Sequence, residues 1–159
     1  MKTRWFRPVT GLGLLVLAGC VSAQSSSEYE LPRTPFESRA GQITEHDLFI
    51  GIPRVIAQHG YVLEWQERKG TAYYFETQWK TRAPFDDERE LGAEYARTRI
   101  LFHARQHGRW YRLRIEVENV LGTASGEWTH PPRTEMFNRY ARRLTDDVRS
   151  ELTTGIRTY

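Results

Sequence analysis

Residues 95–120, YARTRILFHARQHGRWYRLRIEVENV, decide the fold. Two alternating runs, Tyr95 to Arg105 and Arg109 to Val120, flank Gln106-His107-Gly108. Strict alternation marks half-buried strands, and a glycine-containing pair between two such runs marks a hairpin. A two-residue turn at His107-Gly108 predicts inward pairs Ala104 with Tyr111, Phe102 with Leu113, Ile100 with Ile115 and Thr98 with Val117. The same register sets Arg99 opposite Glu116 and Arg97 opposite Glu118 on the outer face. It also sets Arg105 opposite Trp110, close enough for a cation–π contact. One register satisfies both faces, which is the agreement expected of a specified strand pair.

Upstream, Tyr61 to Glu67 and Ala72 to Lys80 alternate again. Arg68-Lys69-Gly70 fits a three-residue hairpin loop with glycine in the left-handed position. That loop pairs Trp65 with Tyr73 and Leu63 with Phe75, with Trp79 also inward. Between the two hairpins, Thr81 to about Glu94 reads as a long, solvated acidic loop. Thr44 to His59 has helical apolar spacing at Leu48, Phe49, Ile52, Val55 and Ile56. Thr44 and Asp47 cap its start and Gly60 ends it. Pro53 inside it predicts a kink or a split. Leu121 to Pro132 is a connection. Thr134 to about Thr154 is a second amphipathic helix, with Met136, Phe137, Tyr140, Leu144, Val148 and Leu152 on one stripe. The order helix, four strands, helix predicts an α+β two-layer sandwich. Its four-stranded antiparallel sheet, two hairpins, carries the N-terminal and C-terminal helices on one face.

This arrangement leaves two candidate binding surfaces. Arg97, Arg99, Arg105, Arg112 and Arg114 share the outer face and could hold an anion or an acidic partner. Trp65, Phe75, Trp79, Phe102 and Tyr111 share the inner face, where a groove beneath the helices would accept a lipid or another apolar ligand. Catalytic chemistry finds no motif. A nucleophile elbow, a phosphate-cradling glycine loop and a two-histidine zinc helix are all missing from the sequence. His46, His59, His103, His107 and His130 are scattered, and no metal site is expected from them. Asp86, Asp87, Glu88 and Glu90 lack the spacing of a calcium loop. No cofactor is expected.

The N-terminus supplies the address. Lys2, Arg4 and Arg7 precede the mostly apolar run Val9 to Gly19, which closes in Leu17-Ala18-Gly19-Cys20. That run is well short of the roughly 20 residues that span a bilayer. The pattern is a secretory signal, and with cysteine after the small residues it resembles the bacterial lipoprotein signal and its lipobox. The resemblance implies a signal peptide over 1–19 and a diacylglycerol plus an N-acyl chain on Cys20, the only cysteine. Residues 20–42, with Ser25-Ser26-Ser27, Pro32 and Pro35, read as a lipidated flexible tether, and 43–159 as one domain.

Lys2, Arg4 and Arg7 are also the whole excess of three positive charges. The chain from Cys20 onward is formally neutral, so no nucleic-acid partner is expected. Val21, rather than aspartate, follows the cysteine. By the same resemblance the protein sits on the outer membrane and faces the periplasm. The expected function is a non-catalytic, membrane-anchored envelope module, binding or assembling an envelope protein, lipopolysaccharide or lipid. A carrier of apolar ligands is the alternative, and an envelope hydrolase the third.

Overall fold

The computed structural model describes residues 34–153. The segment read as a signal peptide, Cys20 and most of the segment read as a tether lie outside the described residues.

The long hairpin forms the centre. β5 (Tyr95–His107) and β6 (Trp110–Gly122) pair antiparallel over their whole length. Their inward residues Ile100, Phe102, Ala104, Leu113, Ile115 and Val117 are each at most 3% exposed. β2 (Leu63–Lys69) and β3 (Ala72–Thr77) form the second hairpin, and β3 pairs with β5.

The four-stranded sheet expected from the sequence is wrong: the sheet has seven strands, in the order β1-β6-β5-β3-β2, with β4 also on β5 and β7 on β6. β1 (Phe36–Ile43) pairs with β6 and, all but Ile43, lies inside the segment 20–42 read as tether. A bulge at Ala40-Gly41, with Gly41 at φ 89°, breaks its alternation, so no continuous two-residue period marks it in the sequence. β4 (Lys80–Arg82) and β7 (Trp128–Thr129) are too short to carry a period. The segment read as a solvated loop instead holds β4 and the short helix α2 (Asp86–Arg89).

Both hairpin registers also differ from expectation, for one reason. Each turn places glycine at its first central position, Gly70 at φ 60° and Gly108 at φ 63°, followed by a residue with negative φ. That is the II′ pattern, which suits strand twist. Lys69 therefore pairs with Ala72, and His107 with Trp110. In the long hairpin the shift is two residues, so every side chain keeps its face and only its partner changes: Phe102 meets Ile115, and Arg99 meets Glu118. In the short hairpin the shift is three. An odd shift turns side chains over, and Trp65 emerges opposite Glu76 on the outer face, 44% exposed.

The first helix is split as Pro53 requires. A π-helical turn, Asp47–Gly51, precedes α1 (Ile52–Gln58), with the Ile52 N–H bonded to the Asp47 carbonyl. The wider turn accommodates a proline that has no N–H to give. Thr44 and Asp47 form the capping box: Asp47 N–H donates to Thr44 Oγ1 (3.0 Å) and Thr44 N–H to Asp47 Oδ2 (3.1 Å). Gly60, at φ 70°, closes α1 in a Schellman motif, with Tyr61 N bonded to Ile56 O and Gly60 N to Ala57 O.

The long helix α3 (Glu135–Thr153) starts at Thr134, whose hydroxyl accepts from Phe137 N–H (3.2 Å). It packs on β1 and α1. Phe137, Ala141, Leu144, Val148 and Leu152 join Leu48, Val55, Ile56, Phe75, Phe102 and Ile115 in one core. The helices thus lie on one face of the sheet, and its other face is open.

Candidate functional site

The open face alternates cations, acids and aromatic rings. Arg99 lies between Glu76 and Glu118 and stacks on Trp79, 4.6 Å from the ring centroid. Arg97 covers Trp128 at 4.1 Å. Lys69 pairs with Glu67 and sits 5.9 Å from Trp65, and Arg109 is 5.3 Å from Trp110. Every tryptophan among the described residues therefore carries a cation near its ring.

The five arginines expected to share a site divide. Arg97 and Arg99 are engaged as above, which leaves little for a partner to claim. Arg105, Arg112 and Arg114 gather near the hairpin turn, where Arg39 of β1 joins them. Arg105 lies directly opposite Arg112, and Arg39 directly opposite Arg114. Arg114 is 2.9 Å from Glu116 and 3.9 Å from Glu37. Arg112 contacts His107 Nε2 at 3.3 Å. Arg39, Arg105 and Arg112 have no carboxylate partner among the described residues.

Like charges directly opposite one another weaken a sheet. Two such rungs side by side are a local departure from what folding favours, which is the kind of place where function resides. Between them, Arg39, Gly41, Gln42, Arg112, Leu113 and Arg114 line an open hollow of about 430 Å³. The bulge makes it, because Gly41 presents no side chain there. Arginine forks match phosphate and carboxylate oxygens in pairs, so the arrangement suits an anion.

The sequence does not mark Arg39 as part of this cluster, because β1 pairs with a distant strand and a bulge interrupts its period. The signal that could have found it is the spacing Phe36, Ser38, Ala40, then Ile43, a two-residue period interrupted once before glycine.

The expected aromatic groove does not assemble. Phe75 and Phe102 are at most 1% exposed and Tyr111 6%, all in the packed core. Trp65 and Trp79 are on the opposite face: the first through the register shift, the second because the chain bulges at Gln78-Trp79 between β3 and β4. The same bulge turns Lys80 inward, where its Nζ donates to His59 O (2.6 Å) and lies 4.9 Å from the Tyr61 ring.

The acidic segment is structural rather than solvated throughout. Glu88 is fully buried. Its carboxylate accepts from Arg82 Nη1 and Nη2 at 2.7 and 2.6 Å, Asn119 Nδ2 at 2.8 Å and Phe85 N–H at 2.8 Å. Asp87 Oδ2 accepts from Met136 N–H (2.8 Å), satisfying an otherwise orphaned donor at the start of α3. Tyr61, buried, shares hydroxyl hydrogen bonds with Thr98 and Tyr140 at 2.8 Å each, and burial pushes its ionisation far up. It is a neutral strut.

His103 is a half-buried histidine on the open face. Its Nε2 is 3.3 Å from Glu116, and Tyr74 meets its ring edge-on at 5.3 Å. Burial lowers its pKa, Arg114 adds to the fall and Glu116 opposes it. Among the described residues, no group of three or more His, Cys, Asp or Glu could hold a metal ion. No helix among them is long and apolar enough to cross a membrane. No protein-family model matches this chain, and no curated protein matches it.

Proposed function

We propose that the protein is a lipid-tethered, non-catalytic binding module of the cell envelope. It presents the hairpin end of its open sheet face to an anionic envelope component. One observation carries this reading: two arginine rungs, Arg39–Arg114 and Arg105–Arg112, stand side by side, and three of the four side chains have no carboxylate partner among the described residues. The lipobox resemblance at Leu17-Ala18-Gly19-Cys20 supports the tether. Val21 supports the outer membrane and the periplasmic side, as in the bacterial lipoproteins it resembles.

Photo-crosslinking in intact cells tests the reading. A photoreactive residue at Gln42, inside the hollow, should give an adduct, identified by mass as protein or lipid. The same residue at Ser125, on the β6–β7 connection, should give none. Adducts of equal yield at both positions, or none at Gln42, would contradict it.

A further inference from the structure

We infer that the anionic component is a bilayer surface, and that the hairpin end of the sheet docks on anionic lipid headgroups with its turn towards the bilayer. This rests on the binding reading above and names its partner.

The first support is the spread of the cations. Arg39 is on β1, Arg112 on β6, Arg105 on β5, and Lys69 ends β2. With strands about 4.8 Å apart, that row spans roughly 20 Å across the sheet. Cations that converge on a point suit one small anion; cations spread along a line suit a field of single phosphates. Trp110 sits at the turn under Arg109. An indole, apolar in body and polar at one edge, is the side chain that settles at headgroup level.

The second support is the opposite end. Glu90, Glu94 and Glu127 are exposed there, with Asp86 exposed and paired to Arg89, around the start of β5 and the end of β6. Strands of 13 residues separate the two ends by about 40 Å. The Debye length at physiological salt is about 8 Å, so the acids do not cancel the basic end at the surface it meets. They would be repelled from the same surface, which fixes the orientation: turn down, acidic end away.

The anchor permits this pose. The roughly 15 residues from Cys20 to Thr34 reach up to about 50 Å when extended. The start of β1 stands about 25 Å from the hairpin turn, as the eight residues from Trp110 to Val117 show.

The test uses residues 20–159 with Cys20→Ser, so that neither the basic, apolar segment 1–19 nor an acyl chain contributes. Flotation with phosphatidylcholine vesicles containing about one-third phosphatidylglycerol should recover the protein; pure phosphatidylcholine vesicles should not. Arg105→Gln with Arg112→Gln should lower binding by roughly five-fold per charge, about 25-fold together. Asp86→Asn with Glu90→Gln should leave it unchanged or slightly raised. A fluorophore at Gln106 should report a headgroup environment, and one at Ser125 water. Absence of a preference for phosphatidylglycerol, full binding by the double glutamine variant, or the reverse labelling pattern would overturn the inference. If vesicles are ignored while Gln42 captures a protein in cells, the lipid inference fails and the binding reading stands. If Gln42 captures nothing as well, both fail.

Discussion

Arg105 and Arg112 face each other across the β5–β6 hairpin, directly in register, with no carboxylate reaching either one among the described residues. One substitution therefore separates stability from binding. Arg112→Glu converts the rung into an opposite-charge pair and should stabilise the fold by a few tenths to about 1 kcal/mol. The same change should weaken anion binding. Urea unfolding and vesicle flotation measure the two effects, and a loss of stability together with unchanged binding would show that the rung is ordinary surface.

The Arg82–Glu88 pair is the converse case. It is bidentate, almost fully buried, and joined to Asn119. Glu88→Ala leaves a buried guanidinium without its partner and should cost about 3–5 kcal/mol. Replacing both, as Arg82→Met with Glu88→Leu, should cost less than Glu88→Ala alone. Denaturant midpoints compare them. If the double variant were the weaker, the pair would be contributing net stability beyond mutual neutralisation.

The hairpin turns explain how much of the fold was legible. Alternation in residues 95–120 identifies both strands and both faces, because the register error there is even. Two residues of slip change partners and spare the core. In 63–77 the error is odd, and Trp65 changes side. The cause is common to both: sequence alone does not say whether a turn glycine stands first or last in its loop. The capping box at Thr44 and Asp47, the Schellman glycine and the split at Pro53 were readable because each rests on neighbouring residues. β1 was not, since its pairing with β6 is a contact between distant parts of the chain and a bulge interrupts its period. The binding cluster suffered with it: Arg105, Arg112 and Arg114 were visible as a stripe, and Arg39 joins them only once β1 is placed.

The capping box offers a local check. Thr44→Ala removes the acceptor for Asp47 N–H and should cost about 1 kcal/mol. Thr44→Ser should restore most of it. Thermal unfolding of the two variants decides, and equal midpoints for Ala and Ser would mean that the cap contributes nothing.

His103 gives a pH dependence. Burial holds its imidazole below the ordinary 6.5, with Arg114 acting in the same direction and Glu116 against it. As pH falls, the unfolded chain takes up the proton first. The contribution is therefore complete above about 6.5 and is lost as pH drops from there towards the lower folded value. His103→Gln should flatten the fall in stability between about pH 7 and pH 5. Urea midpoints at both values measure it, and an unchanged fall would assign the acid sensitivity elsewhere.

Whether the hairpin end is the working surface is tested most directly by residue-resolved NMR of the Cys20→Ser chain titrated with short-chain phosphatidylglycerol. The expected shifts are confined to Arg39 through Gln42, Arg105 through Arg114, and the Arg105 and Arg112 side-chain Nε–H signals, with the 86–94 and 123–127 segments silent. Shifts centred on those acidic segments, or none at the arginines at saturating ligand, would contradict it.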